Sequence, residues 1–128
     1  MISQNTDTWT VLIVDDEPDN LGVAQKVLNF NGAKVHIAAN GLEGLQVLET
    51  ITPTFILLDL SMPEMDGWEM LKQVRSLDKL ANIPIIALTA HAMSGDKERI
   101  LEGGFDGYIA KPFRIPTSWD FFSNFASL

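Results

Sequence analysis

The run FILL at residues 55–58 is apolar at every position and stops at Asp59, after which a polar loop carries Pro63 and Gly67. A continuous apolar run this short, bounded by turn residues, reads as a strand buried on both faces, the condition of a parallel sheet covered by helices. Asp59 then stands at the carboxyl end of the strand, where open α/β sheets hold their ligands. A carboxylate in that place is a candidate ligand or reactive group.

The rest of the chain alternates in the same way. TVLIV at Thr10–Val14 reads as a buried first strand that ends in DDEPDN. Pro18 suits the first turn of a helix, with Asp16 or Glu17 near its cap, and the stripe Leu21, Ala24 and Leu28 carries that helix to a stop at Asn31-Gly32. Lys34–Ala38 alternates as a second strand. Residues 41–50 are expected to form a second helix with Leu42, Leu45 and Leu48 on one face, and Pro53 closes the connection to residue 55. Trp68, Leu71, Val74 and Leu77 mark a third helix, and Ile85–Thr89 a fourth strand. Ser94 is placed to cap a short charged helix over residues 96–102, which Gly103-Gly104 terminates. Residues 107–110 form a brief fifth strand ending in Lys111-Pro112, and Thr117 or Ser118 caps a last helix.

Five repeats of strand then helix predict an α/β fold. The expected form is a flavodoxin-like, doubly wound, five-stranded parallel sheet of order 2-1-3-4-5 with helices on both faces. At 128 residues the chain is expected to be a single domain, with residues 1–8 as a flexible tail and no linker leading elsewhere.

Composition removes several function classes. There is no Cys, which excludes disulfides, thiolate metal sites and thiol catalysis and accords with a reducing compartment. The formal net charge of -8 and the scattered Lys and Arg argue against direct binding to nucleic acid or an anionic membrane. No apolar run approaches the roughly 18 residues of a membrane helix, and the polar start MISQNTDT lacks the regions of a secretory signal. A cytoplasmic location is expected.

The strand ends carry the chemistry. Asp15 and Asp16 follow the first strand, Asp59 the third, Thr89 the fourth and Lys111 the fifth. In the expected strand order these ends converge on one pocket. Three carboxylates there repel one another unless a cation intervenes, and a hard divalent ion with oxygen ligands, Mg²⁺, fits that donor set. Asp59 has two open roles, metal ligand and nucleophile. As a nucleophile it attacks a phosphoryl group, with the metal, Lys111 and Thr89 meeting the charge on the phosphoryl oxygens. No His, Cys or activated Ser stands at these ends. Taken singly, Asp15 and Asp16 also read as helix caps, Thr89 as an ordinary strand end, Lys111 as a surface lysine and Tyr108 as a packed strand residue. His36, between Val35 and Ile37, reads as a surface histidine.

VDDEPDN at Asp15-Asp16, LLDLSMPEMDG at Asp59, LTA at Thr89 and YIAKPF at Lys111, in this order and with Pro63, Asp66, Gly67 and Pro112, resemble the receiver domains of two-component response regulators, including the free-standing chemotaxis regulator. The resemblance covers about residues 10–112. It implies that Asp59 accepts a phosphoryl group from a histidine kinase or phosphotransfer protein. Asp16, Asp59 and the backbone carbonyl of Ser61 would ligate Mg²⁺ directly, with Asp15 acting largely through water. Lys111 would pair with the phosphoryl group, Thr89 would swing towards it, and Tyr108 would turn inward. The fourth helix, fifth strand and fifth helix would form the switching surface, read by a downstream effector or a second copy of the chain. Ser61 and His91 would occupy positions that in the family tune loss of the phosphoryl group to water; for His91, plain solvent exposure is the alternative.

The segment from residue 116 departs from the family pattern. PTSWDFFSNFASL has Asp120 as its one charged side chain, with Trp119, Phe122 and Ala126 on one helical face and Phe121 and Phe125 on another. Either one stripe is exposed as a partner surface, together with Tyr108, or the helix tilts to bury both. Two rival functions differ in class. An Asp-nucleophile phosphohydrolase places a second Asp two residues after the nucleophile, where this chain has Ser61. A receiver-like module that binds partners without phosphorylation tends to lose members of the acidic pair, Asp59, Thr89 and Lys111, all present here.

Overall fold

Every described strand is parallel to its neighbours, and the sheet runs in the order β2-β1-β3-β4-β5. The computed structural model describes residues 9–30, 32–60, 65–89 and 96–110. Along the chain these residues form β1 (Thr10–Val14), α1 (Pro18–Phe30), β2 (Lys34–Ala38), α2 (Gly41–Leu48), β3 (Phe55–Asp59), α3 (Gly67–Arg75), a 3₁₀ turn (Asp78–Leu80), β4 (Ile85–Thr89), α4 (Asp96–Glu102) and β5 (Gly107–Ala110). This is the expected doubly wound architecture. The tail at 1–8, the cap proposed at Ser94 and the aromatic segment from 116 lie outside the described residues.

The strands sort their side chains with the period of two that a pleated ribbon imposes. Leu12, Val14, Ile56, Leu58, Ile85 and Ala87 face a core closed by Leu48, Met70, Val74, Ile100 and Phe105 from α2 to β5. Val11, Ile13, Phe55, Leu57, Ile86 and Leu88 face the other side, where Leu21, Ala24 and Leu28 of α1 cover them. All five residues of β3 are buried, as its unbroken apolar run requires. Trp9, one residue before β1, is buried as well and meets the ring of Phe55 edge-on at 5.6 Å.

Local signals set the helix ends. Pro18 opens α1, and the amide of Leu21 bonds to the carbonyl of Glu17. Gly32 and Gly104 adopt φ of 95° and 114°, the left-handed conformation that closes α1 and α4. In both cases the residue after the glycine, third beyond the helix, reaches back: Ala33 N–H to Leu28 O and Phe105 N–H to Ile100 O. Asn40 caps α2 by accepting from Glu43 N–H at 2.9 Å, and Asp66 caps α3 by accepting from Glu69 N–H at 2.9 Å.

Two helical faces differ from expectation. In α2 the buried residues are Gly41, Gly44 and Leu48, while Leu42 is 47% exposed. The helix approaches the sheet through its glycines: a Cβ on Gly44 would stand 2.7 Å from Met70 Cε and 3.1 Å from Val14 Cγ2. Contact that close turns Leu42 outward. The helix also ends at Leu48, two residues early, because Thr50 N–H bonds to Val47 O in a tighter turn. Leu77 lies beyond α3 and is exposed, whereas Met70 is wholly buried in that helix. His36 is half-buried on edge strand β2. No helix among the described residues is long and apolar enough to cross a membrane.

Candidate functional site

Among the described residues, the buried polar or charged side chains are Asp15, Asp59 and Thr89. All three stand at the carboxyl ends of neighbouring strands. The register fixes this: Val14 pairs with Leu58, Asp59 with Leu88, and Thr89 with Ala110. Asp15 and Asp59 therefore each follow a paired rung of the β1–β3 ladder, and Thr89 stands one residue beyond the partner of Asp59. Burying a carboxylate costs several kcal/mol unless other groups compensate it, so the two at this edge are the costliest buried side chains among the described residues.

The backbone around these residues is held on several sides. Asp15 donates its N–H to Ala38 O at 3.0 Å, and its Oδ1 accepts the amide of Glu17 at 2.9 Å. Leu60 N–H bonds to Leu88 O at 3.2 Å, extending the β3–β4 ladder past Asp59. Gly67 N–H bonds to Leu60 O at 3.1 Å, and a Cβ on Gly67 would lie 2.3 Å from Asp59 O and 2.9 Å from Leu60 Cα. Only a residue without a side chain lets the start of α3 rest on the main chain that carries Asp59.

Asp15, Asp16 and Glu17 each bring a carboxylate oxygen within 4.8 Å of the others; Asp15 is buried and the other two are exposed. Asp59 stands outside that set, one strand over. Glu17 thus adds a third adjacent carboxylate where sequence reasoning saw a helix cap, and the DDE run itself was the signal. The donors are hard oxygens without sulfur or imidazole, which fits a divalent cation of the Mg²⁺ class. Tyr108 pairs with Ala87 across the sheet and is half-buried, with the Lys97 ammonium 5.8 Å from its ring centre. Ser61, His91 and Lys111 lie outside the described residues, as do Trp119, Phe121, Phe122 and Phe125.

Comparison with known proteins agrees with this architecture. The family model of the response regulator receiver domain matches residues 11–118. The polar-differentiation response regulator DivK of Brucella anthropi is 39% identical over 107 residues, which cover 84% of this chain and 87% of that protein. The receiver domain of the sensor histidine kinase PA1611 of Pseudomonas aeruginosa, solved with a magnesium ion coordinated in its active site cleft, is 31% identical. It superposes with a TM-score of 0.85 over 94% of this chain and 98% of that one. The Vibrio cholerae chemotaxis protein CheY4 is 29% identical, with a TM-score of 0.84 over 91% of this chain and 98% of that one. The strand order, the acidic strand-end edge and these likenesses together establish that the chain belongs to the response regulator receiver domain family, the phosphoryl-accepting switches of two-component systems.

Proposed function

We propose that Asp59 is the phosphoacceptor and that the domain works as a phosphorylation-driven switch. The observation that carries this reading is the confinement of buried polar side chains, among the described residues, to Asp15, Asp59 and Thr89 at adjacent strand ends. A carboxylate oxygen of Asp59 attacks the phosphorus of a phosphohistidine, on a histidine kinase or phosphotransfer protein. The new O–P bond forms as the P–N bond breaks, and the imidazole leaves. When bound, Mg²⁺ supplies positive charge to the transferring phosphoryl oxygens. Asp15 and Asp16, with Asp59 and the Ser61 carbonyl, are the residues to hold it, and Glu17 adds negative charge at its solvent side. Thr89 offers a hydroxyl donor to the phosphoryl group from the neighbouring strand, and Lys111, next after β5, offers an ammonium.

The readout belongs to α4, β5 and the segment that follows them. Phosphorylation adds about -1.5 to -2 charges and three acceptor oxygens at the edge where Thr89 ends β4. Movement of Thr89 towards that charge frees space for Tyr108, two strand positions before Ala110, the partner of Thr89. The resulting surface is offered to an effector protein or to a second copy of the chain. Ser61 and His91 flank the pocket in sequence and are assigned to setting the lifetime of the phosphoryl group. A cytoplasmic setting follows from the kinase partner.

Incubation with acetyl phosphate and Mg²⁺, read by intact mass, tests the reading. The expected result is a gain of one phosphate that Asp59→Asn abolishes. No gain would leave a partner-binding module, and repeated release of phosphate from small esters would indicate a hydrolase.

A further inference from the structure

Trp68 follows directly on Gly67, the residue that rests on the carbonyl of Asp59. Its half-buried side chain leaves the start of α3 and enters the end of α4. There it is enclosed on three sides. The Arg99 guanidinium lies 5.5 Å from the ring centre, and the ring of Phe105 meets it edge-on at 5.1 Å. On the third side stands Gly103, where a Cβ would come within 2.4 Å of the indole Cζ3. An aromatic ring is rigid, and packed interfaces move between discrete arrangements more readily than they deform.

We propose that Trp68 is a positioning residue that ties α4 to the main chain carrying Asp59, so that a displacement at one is felt at the other. The route has little slack at either end. Gly67 is in contact with the Asp59–Leu60 backbone, so a shift of that backbone on phosphorylation moves the first turn of α3. Trp68 moves with that turn and bears on Arg99, Gly103 and Phe105. This route is separate from the Thr89–Tyr108 pair, which reaches the switching surface through β4 and β5, and it rests on the reading of Asp59 as phosphoacceptor.

A double-mutant cycle on the full chain tests the link, because only groups that act through one another give non-additive effects. The variants are Trp68→Leu, Gly103→Ala and the two combined, and the readout is the rate of phosphate gain from acetyl phosphate with Mg²⁺. Gly103→Ala is expected to change that rate by about twofold to tenfold. In the Trp68→Leu background the same methyl should have no further effect, since the ring it displaces is gone. A Gly103→Ala effect that is absent, or that persists undiminished in Trp68→Leu, overturns the link and leaves the role of Asp59 standing. A wild-type chain that gains no phosphate overturns both.

Should Gly103→Ala fail to fold, hydrogen exchange of residues 96–105 decides the matter. Phosphorylation should alter exchange there in the wild type, and the change should be reduced at least about twofold in equally phosphorylated Trp68→Leu. An equal change in the two proteins overturns the proposal.

Discussion

The guanidinium of Arg75 lies 2.8 Å from the carboxylate of Asp106, and the same carboxylate oxygen accepts the backbone N–H of Ile85 at 2.8 Å. Arg75 also donates to the carbonyls of Ala81, Ile83 and Gly104. One side chain at the end of α3 thus fastens the starts of β4 and β5, at the opposite edge of the sheet from Asp59. The ion pair is partly exposed, so its charge attraction is screened. Its value lies in hydrogen bonds to carbonyls that lie outside the strands.

Arg75→Ala should lower stability by about 1.5–3 kcal/mol, the range for hydrogen bonds to a charged group. Arg75→Lys should recover only part, because an ammonium lacks the planar fork that serves several acceptors at once. Urea unfolding of the three proteins measures both effects, and phosphate gain at Asp59 should stay near that of the wild type in each.

Gly67→Ala is expected to damage the site and the fold together. The added methyl would fall 2.3 Å from Asp59 O, and backbone on both sides must move to admit it. Overpacking of this kind costs about 1–3 kcal/mol. Phosphate gain should fall more steeply than the unfolded fraction accounts for, as circular dichroism alongside intact mass would record.

Replacing Asp15 or Asp16 by Asn should weaken Mg²⁺ binding at least about tenfold, equivalent to about 1.4 kcal/mol. Glu17→Gln should weaken it less than Asp15→Asn, since Glu17 is exposed whereas Asp15 is buried at the strand end. Calorimetric titration with Mg²⁺ ranks the three. A Glu17 effect equal to that of Asp15 would reassign the ligand set.

On α1, two residues two positions apart should behave in opposite ways. Leu28 is wholly buried under the sheet, and Leu28→Ala should cost about 2–5 kcal/mol. Phe30 is 89% exposed at the end of the same helix, and Phe30→Ser should change stability by no more than about 0.5 kcal/mol. Thermal and urea unfolding measure the contrast.

The sequence was most informative where one residue decides a local outcome. Unbroken apolar runs placed β1, β3 and β4, and Pro18, Gly32 and Gly104 placed helix ends, because burial and backbone conformation act there without help from distant residues. The strand-end acids were legible for the same reason. Sequence reasoning failed where packing chose between faces. In α2 Leu45 and Leu48 meet the core as their spacing suggests, but Leu42 is exposed and Gly41 and Gly44 are buried, since helical periodicity cannot say which face comes close enough to need glycine. Arg75 and Asp106 are 31 residues apart, and nothing local in either predicts their meeting. Trp9, between the tail at 1–8 and the strand at Thr10, drew no assignment from the sequence because its burial depends on Phe55, brought to it by the β1–β3 pairing.

That pairing also acts as a ruler. Asp59 lies one residue beyond the Val14–Leu58 rung, so the place of its carboxylate is measured by counting peptide units from the start of β3. Insertion of a single residue into β3, leaving the composition of the strand almost untouched, would send alternate side chains to opposite faces. It would carry the carboxylate one step out of line with Asp15 and Thr89. Loops between the elements have room to vary in length, whereas the strands that lead into this edge tolerate no change of count.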